Sequence, residues 1–316
     1  MDAVNKNIQY SAARLLEYIN ENRGKKIILG QHTQTMQQEE LRCIHDVTGQ
    51  LPALCGFELL AYSPNIRYDT AGEECLDEVN AAAGTLQRAW EWAQRGGLVT
   101  MTWHWFSPLG GSDKSFFSRN TDFSAERAAE DGTPENAAFL SDMDYMAGLL
   151  RPFCDAEIPI LWRPFHENEG GWFWWGSCEK SIVQKLYRIM FERYTQHFHL
   201  DNLLWVFNSP KKECYPGDDV VDILSRDLYP EAHMHTSHEK ELCELKQVTA
   251  ADKPCALAEI GTIPDVYAVT EQRLDWSWFM TWSKRYCLSE EFTSFEELKR
   301  AYSCENAVTL DRLPKF

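Results

Sequence analysis

Short apolar runs rich in β-branched and aromatic residues recur along the chain, separated by stretches whose apolar positions return every three to four residues. Eight runs stand out: KIILGQH from Lys26, LPALCGFEL from Leu51, GLVTMTWHW from Gly97, EIPILWRPFHE from Glu157, NLLWVFNSP from Asn202, VVDILSRDLY from Val220, KPCALAEIG from Lys253 and LDWSWFMTW from Leu274. Most are continuously apolar rather than alternating, which is the pattern of a strand covered on both faces. Between them, Cys75 to Gln94, Asn136 to Arg151 and Ser181 to Thr195 carry helical spacing and predict outer helices. Strand and helix in alternation predict βα units around a parallel sheet, and eight units predict a closed (β/α)8 TIM barrel. The stretch from Phe106 to Pro134 is polar and Gly/Ser-rich and directly follows the third run, so it predicts a long βα loop on the C-terminal face of the barrel. A barrel of this kind fits 316 residues as a single domain over positions 1–316.

Composition narrows the class. Hydrophobic residues make up 44% and charged residues 25%, as in ordinary globular chains. The aromatic share of 13%, with 12 Trp, is high, and a tryptophan needs a partner for its N–H or a flat ligand for its face. Sugars offer such faces. The formal charge of −17, without clustered Lys and Arg, argues against a nucleic-acid partner and favours a neutral substrate. No run approaches the roughly 20 apolar residues that cross a bilayer, so no membrane partner is expected. The start, MDAVNKNIQYSAARLLEYI, reads as the polar entry to an amphipathic helix without a signal-peptide core. The expectation is a cytoplasmic location for the chain as given, and secretion if an export signal was removed. Ten cysteines lie scattered without the short paired spacings of zinc sites and are expected to be free thiols. Cys55 and Cys255 fall inside apolar strands, where they read as small buried hydrophobes.

Polar and aromatic residues gather at the C-terminal ends of these strands. The first ends in Gln31 and His32, the third in Trp103, His104 and Trp105, and the fourth in Arg163 through Glu167. The sixth ends in Asp227 and Tyr229, the seventh in Glu259 and the eighth in Trp282. In a barrel such positions converge on one cleft. Glu167 and Glu259 are 92 residues apart and meet only through the fold. A retaining glycosidase needs such a pair, one carboxyl protonated as the proton donor and one ionised as the nucleophile. Spacing alone leaves two readings open, a catalytic pair or two ion-pair partners at the barrel rim.

The run WRPFHENEGGWFWWG, preceded by GLVTMTWHWFSP and followed by CALAEIG, resembles glycoside hydrolase family 26, retaining (β/α)8 enzymes dominated by β-mannanases. The likeness extends from about Ile27 to Trp282. It implies Glu167 as the acid/base, Glu259 as the nucleophile and the chain as a catalytic domain. It further implies substrate-binding roles for His104, His166, Trp172, Tyr229 and Trp282, with Arg163 and Asp227 in support and Tyr229 hydrogen-bonded to the nucleophile. Trp172, Trp174 and Trp175 crowd one loop, and the sequence does not say which of them faces the sugar. No cofactor and no metal are expected, since His166 has no second ligand at helical spacing. Trp90 and Trp92 read as helix packing, Trp276 and Trp278 as either core or cleft, and Tyr62 and Arg67 as either cleft or solvated loop.

The activity expected from the resemblance is double-displacement hydrolysis of β-1,4-mannosidic linkages in mannan, glucomannan or manno-oligosaccharides. Within the family the alternatives are an exo-acting enzyme that releases mannobiose from imported manno-oligosaccharides, with the Phe106 to Pro134 loop closing one end of the cleft, and a β-1,3-xylanase or β-glucanase. Outside the enzymes, the alternative is a carbohydrate-binding protein that kept the cleft without catalysis.

Overall fold

The computed structural model describes residues 2–34 and 37–316. Its strands are β1 (Ile27–Thr33), β2 (Leu54–Glu58), β3 (Leu98–Thr102), β4 (Ile160–Arg163), β5 (Leu203–Asn208), β6 (Ile223–Leu228), β7 (Cys255–Ile260), β8 (Trp276–Thr281) and β9 (Ala307–Val308). The helices are α1 (Tyr10–Asn22), α2 (Glu39–Thr48), α3 (Glu73–Ala82), α4 (Thr85–Gln94), α5 (Ala125–Ala128), α6 (Pro134–Asp155), α7 (Lys180–Glu192), α8 (Glu239–Lys246), α9 (Val266–Glu271) and α10 (Phe295–Ser303). Strands β1 to β8 pair in parallel in sequence order, and β1 joins both β2 and β8, which closes the barrel. Seven of the eight runs read from the sequence contain one of these strands, and the first, Lys26–His32, covers all of β1 but Thr33. Among the described residues no helix is long and apolar enough to cross a membrane.

Two apolar clusters account for the continuous hydrophobicity of the strands. Outward-facing residues such as Leu29, Phe57, Trp162, Trp205 and Leu257 meet the helices. Inward-facing residues, among them Ile28, Leu54, Leu98, Leu161, Leu204, Ile223, Ala256 and Trp278, fill the barrel interior, and Leu15, Leu16 and Ile19 of α1 join them from below. Helix α1 therefore caps the N-terminal end of the barrel, and the C-terminal end is left for polar side chains. Trp92, Trp276 and Trp278 are buried in these layers, which assigns them to packing.

The helices differ from expectation at their ends. Cys75 to Gln94 forms two helices, α3 and α4, because Gly84 at φ 77° breaks the run. The helix expected from Asn136 starts at Pro134, behind a Thr133 side chain that accepts from the Asn136 N–H, and runs to Asp155. The third expected helix ends at Glu192 and passes into a π-helical turn, Arg193–His197. Residues 106–133 form the irregular segment expected after β3, interrupted by a 3-10 turn at Ser118–Asn120 and by α5. Strand β9, two residues beside β1, had no signal in the sequence.

The seam between β1 and β8 relies on Gly30. A Cβ there would lie 2.7 Å from the Phe279 carbonyl oxygen and 3.2 Å from the Met280 Cα, both backbone atoms. Gly30→Ala is expected to destabilise the barrel by about 1–3 kcal/mol. Thermal melts followed by circular dichroism check this, and an unchanged Tm would show that the seam spreads without cost.

Candidate active site

Side chains alternate along a strand, so whichever residue shares parity with the interior cluster at the C-terminal end of each strand must face the mouth. Continuing from Ile28, Leu54, Leu161, Leu204, Ile223 and Trp278, this rule places His32, Glu58, Arg163, Asn208, Asp227 and Trp282 around the opening. Strand β7 would fail it: Ala256 faces inward, so strict alternation would send Glu259 outward. The β7 ladder shifts register against β6 and again between Leu257 and Ile260. These irregularities turn Glu259 into the mouth, a common use of bulges beside functional sites.

Arg163 organises the ring. Its fully buried guanidinium donates from Nη1 to Asp227 Oδ2 at 2.9 Å and from Nη2 to Glu259 Oε1. Tyr229 donates its hydroxyl to the other oxygen of Glu259 at 2.6 Å. Both oxygens of Glu259 thus accept, the arrangement of an ionised carboxylate. Burial and the neighbouring carboxylates push the Tyr229 hydroxyl well above its usual range, so it remains a donor.

Glu167 stands opposite with a different environment. Oxygens of Glu167, Asp227 and Glu259 lie within 4.8 Å of one another. Asp227 and Glu259 touch the guanidinium, so it already compensates two of the three carboxyl groups a cation would need to bridge. Burial, and then the charge of Glu259, push the Glu167 carboxyl up to about 7. Trp172 opposes that rise by donating its Nε1–H to Glu167 Oε2 at 2.9 Å. The backbone at Phe165 and Glu167 is left-handed, with φ of 50° and 51°. Non-glycine residues adopt this region only under constraint. Part of the constraint is the Glu167 N–H, which donates to Asn208 Oδ1 at 2.9 Å, while Asn208 Nδ2 donates to Asp227 Oδ1 at 2.8 Å.

The tryptophan loop separates by burial. Trp174 and Trp175 are 0% and 1% exposed and donate their N–H groups to the carbonyls of Trp105 and His166. They peg the loop to the core. Trp172 is 44% exposed and lies across Gly170, where a Cβ would sit 1.9 Å from the indole ring. Gly170 is therefore the seat of Trp172, and Trp172 is the member of the trio that faces the cleft.

A histidine chain fills the side between β2 and β4. Glu58 Oε1 accepts from the N–H groups of Leu60 and His104, and Oε2 contacts His104 Nδ1 at 2.7 Å. Burial pushes the His104 imidazole down, but the charge and hydrogen bond of Glu58 outweigh it and the net direction is up. Burial and the charges of His104 and Arg163 push His166 well down. Of the two, His104 is the more readily protonated, and when it carries the proton its Nε2–H can donate to His166 Nε2, 3.2 Å away. On the far side, Trp282 stacks on His32 with ring centroids 4.0 Å apart and planes at 19°.

All nine residues singled out in the sequence, His104, Arg163, His166, Glu167, Trp172, Asp227, Tyr229, Glu259 and Trp282, gather in this cleft. Tyr62 and Arg67 do not. The Tyr62 hydroxyl accepts from the Leu86 N–H at 3.3 Å, and Arg67 is an exposed partner of Asp69. Glu58 and Asn208 were not anticipated, although both end a strand with inward parity.

With this geometry in view, the chain was compared with known proteins. Residues 4–311 match the family profile described as Glycosyl hydrolase family 26. This chain belongs to glycosyl hydrolase family 26. The mannan endo-1,4-β-mannosidase of Thermothelomyces thermophilus is 34% identical over 314 residues, which cover 96% of this chain and 61% of that protein. Mannan endo-1,4-β-mannosidase B of a Piromyces species is 28% identical, covering 97% of this chain and 52% of its own length. The chain thus spans between half and two thirds of these two relatives. Among solved structures, the β-mannanase from a symbiotic protist of the termite Reticulitermes speratus, in complex with a gluco-manno-oligosaccharide, superposes with a TM-score of 0.89 at 29% identity. That match covers 100% of this chain and 98% of the other. The Podospora anserina β-(1,4)-mannanase gives 0.87 at 32% identity, covering 98% of this chain and 68% of that one.

The Glu58 contacts make a test that needs no substrate. Replacing Glu58 with Gln removes the charge that raises His104, so the His104 imidazole should titrate at lower pH than in the wild type when followed by NMR. A titration that stays in place or rises would assign the raised value to another group.

Proposed function

We propose that this family 26 chain is a retaining endo-β-1,4-mannanase that hydrolyses mannan, glucomannan or manno-oligosaccharides without a metal. One observation carries the mechanism: two facing carboxyl groups with oppositely built surroundings. Glu259 accepts from Arg163 and Tyr229 on its two oxygens, whereas Glu167 is drawn up to about 7. Their oxygens lie within 4.8 Å, in keeping with the roughly 5–5.5 Å between carboxyl groups of retaining enzymes rather than the wider gap of inverting ones. Two similar proteins named mannan endo-1,4-β-mannosidase, and a similar β-mannanase holding a gluco-manno-oligosaccharide, support the substrate class.

In this reading Glu259 attacks the anomeric carbon while Glu167 gives its proton to the departing glycosidic oxygen. Glu167, now ionised, takes a proton from water, and the resulting nucleophile displaces Glu259 from the sugar. Trp172, half-exposed beside Glu167, offers its face to a pyranose ring. Arg163, held by Asp227, keeps Glu259 in place and compensates its charge in the ground state. His104, whose protonated form Glu58 favours, contacts and orients the adjacent His166 on the same side.

Removing the carboxylate in Glu259→Ala should lower kcat on manno-oligosaccharides by more than about 10²-fold with the fold intact. A variant that keeps over a tenth of wild-type turnover would overturn the assignment. Glu167→Ala should lose most on natural mannosides and much less on an aryl mannobioside, whose leaving group departs without a proton. Side-by-side assays on glucomannan, galactomannan, β-glucan and xylan test the substrate. Early release of only mannobiose from a long oligosaccharide would replace endo action with terminal cleavage, and no reducing sugar from any of the four would leave a binding protein.

The pH profile follows from the same site. The first step needs Glu167 protonated, so kcat/KM should fall as pH rises through about 7. Trp172 donates to the ionised form and holds that value down, so Trp172→Phe should move the alkaline limb to higher pH besides weakening binding. An alkaline limb that stays in place or moves down would separate Trp172 from the titration.

A further inference from the structure

Tyr229 is 46% exposed as a residue although its hydroxyl end is buried against Glu259 at 2.6 Å, so its ring needs support from beside it. The segment after β8 supplies the hold. The Tyr286 ring lies 5.4 Å from that of Tyr229, tilted by 55°, and is backed by Phe292 at 4.5 Å. The Arg285 guanidinium stacks on both backing rings, 5.6 Å from Tyr286 and 4.8 Å from Phe292, and is tied to Glu291 at 2.7 Å. The Phe292 carbonyl accepts from the His233 N–H at 2.8 Å, which fastens this segment to the one that follows β6 and carries Tyr229. Beneath both rings lies Gly261. A Cβ at that position would come 3.1 Å from Tyr229 Cδ1 and 3.1 Å from Tyr286 Cε1, tighter than ordinary contact. Tyr229 is thus wedged between a bare backbone floor and a braced aromatic wall.

We propose that Tyr286, seated on Gly261, is a positioning residue that acts on the reaction through Tyr229 by keeping its hydroxyl on Glu259. The proposal rests on the reading of Glu259 as the nucleophile. It assigns the work to the Tyr286 ring and not to its hydroxyl. It also places the effect on the chemical step, since the hydrogen bond lost is one to the attacking carboxylate.

A double-mutant cycle tests it. Y286A should lower kcat roughly 10-fold, the scale of one hydrogen bond to a charged group, with KM little changed, and Y286F should restore kcat. In a Y229F background the further loss from Y286A should be less than about twofold. Full additivity, a change confined to KM, or a kcat that Y286F does not restore would overturn the proposal and make Tyr286 a substrate contact or a purely structural residue. Should Y286A not fold, G261A serves in its place: it pushes both rings by tenths of an ångström and should show the same kcat loss, again silent in Y229F. Retained activity in Glu259→Ala would instead remove the underlying reading, so the two failures are told apart.

Discussion

The charge balance at the barrel mouth is set by one guanidinium that has been taken out of water. A buried ion needs its charge compensated, and Arg163 is compensated by two carboxyl groups, Asp227 and Glu259, from two other strands. The third carboxyl of the cluster, Glu167, approaches the same pair without touching the guanidinium and is drawn up to about 7, while burial pushes Asp227 up as well against the charge of Arg163. In the proposed mechanism the nucleophile, Glu259, is held by Arg163, and the donor, Glu167, by Asn208 and Trp172. The same ion pairs join β4 to β6 and β7 and hold that side of the mouth together.

Hydrogen bonds to neighbours fix the remaining geometry. Asn208 binds both Asp227 and the backbone of Glu167, linking the two halves of the carboxyl cluster through a neutral amide. The left-handed residues at Phe165 and Glu167 are held there by that amide and by the buried pegs Trp174 and Trp175. On the other side, Glu58 draws His104 up, and burial, then the charge of His104, pushes His166 well down. Apart from Trp172, seated within its own loop, these side chains are positioned by partners from different strand ends, which a parallel barrel supplies because successive strand ends lie side by side.

The aromatic residues divide between two tasks. Most of the tryptophans close the core: Trp92, Trp276 and Trp278 are buried, and Trp174 and Trp175 anchor a loop through their N–H groups. Trp172 is exposed because Gly170 gives its ring a flat seat on the backbone, and Trp282 faces the mouth because it stacks on His32. The high aromatic content that pointed to sugar binding therefore mostly reports packing, and a small minority of the rings reach the cleft.

The eight strands were legible in the sequence because each is covered on both faces, which writes a continuous apolar run. Strand-end chemistry was legible for the same reason, since a polar residue that ends such a run has nowhere else to go. Helix ends and the two-residue β9 were not, because a single glycine or a tertiary contact decides them. Nor were the roles within the trio of tryptophans, because Trp172, Trp174 and Trp175 differ only in what lies beneath each ring. The inward turn of Glu259 depends on irregularities in the β7 ladder that no periodicity shows. Glu58 and Asn208 waited for the same reason: a lone acidic or amide residue at the end of an apolar run acquires meaning only when the fold sets His104 or Glu167 against it. Sequence placed most of the mouth residues at strand ends, because a polar side chain ending an apolar strand must face outward from the core. The tertiary structure decided which of them touch, setting Arg163 against Asp227 and Glu259 and leaving Glu167 to Asn208 and Trp172.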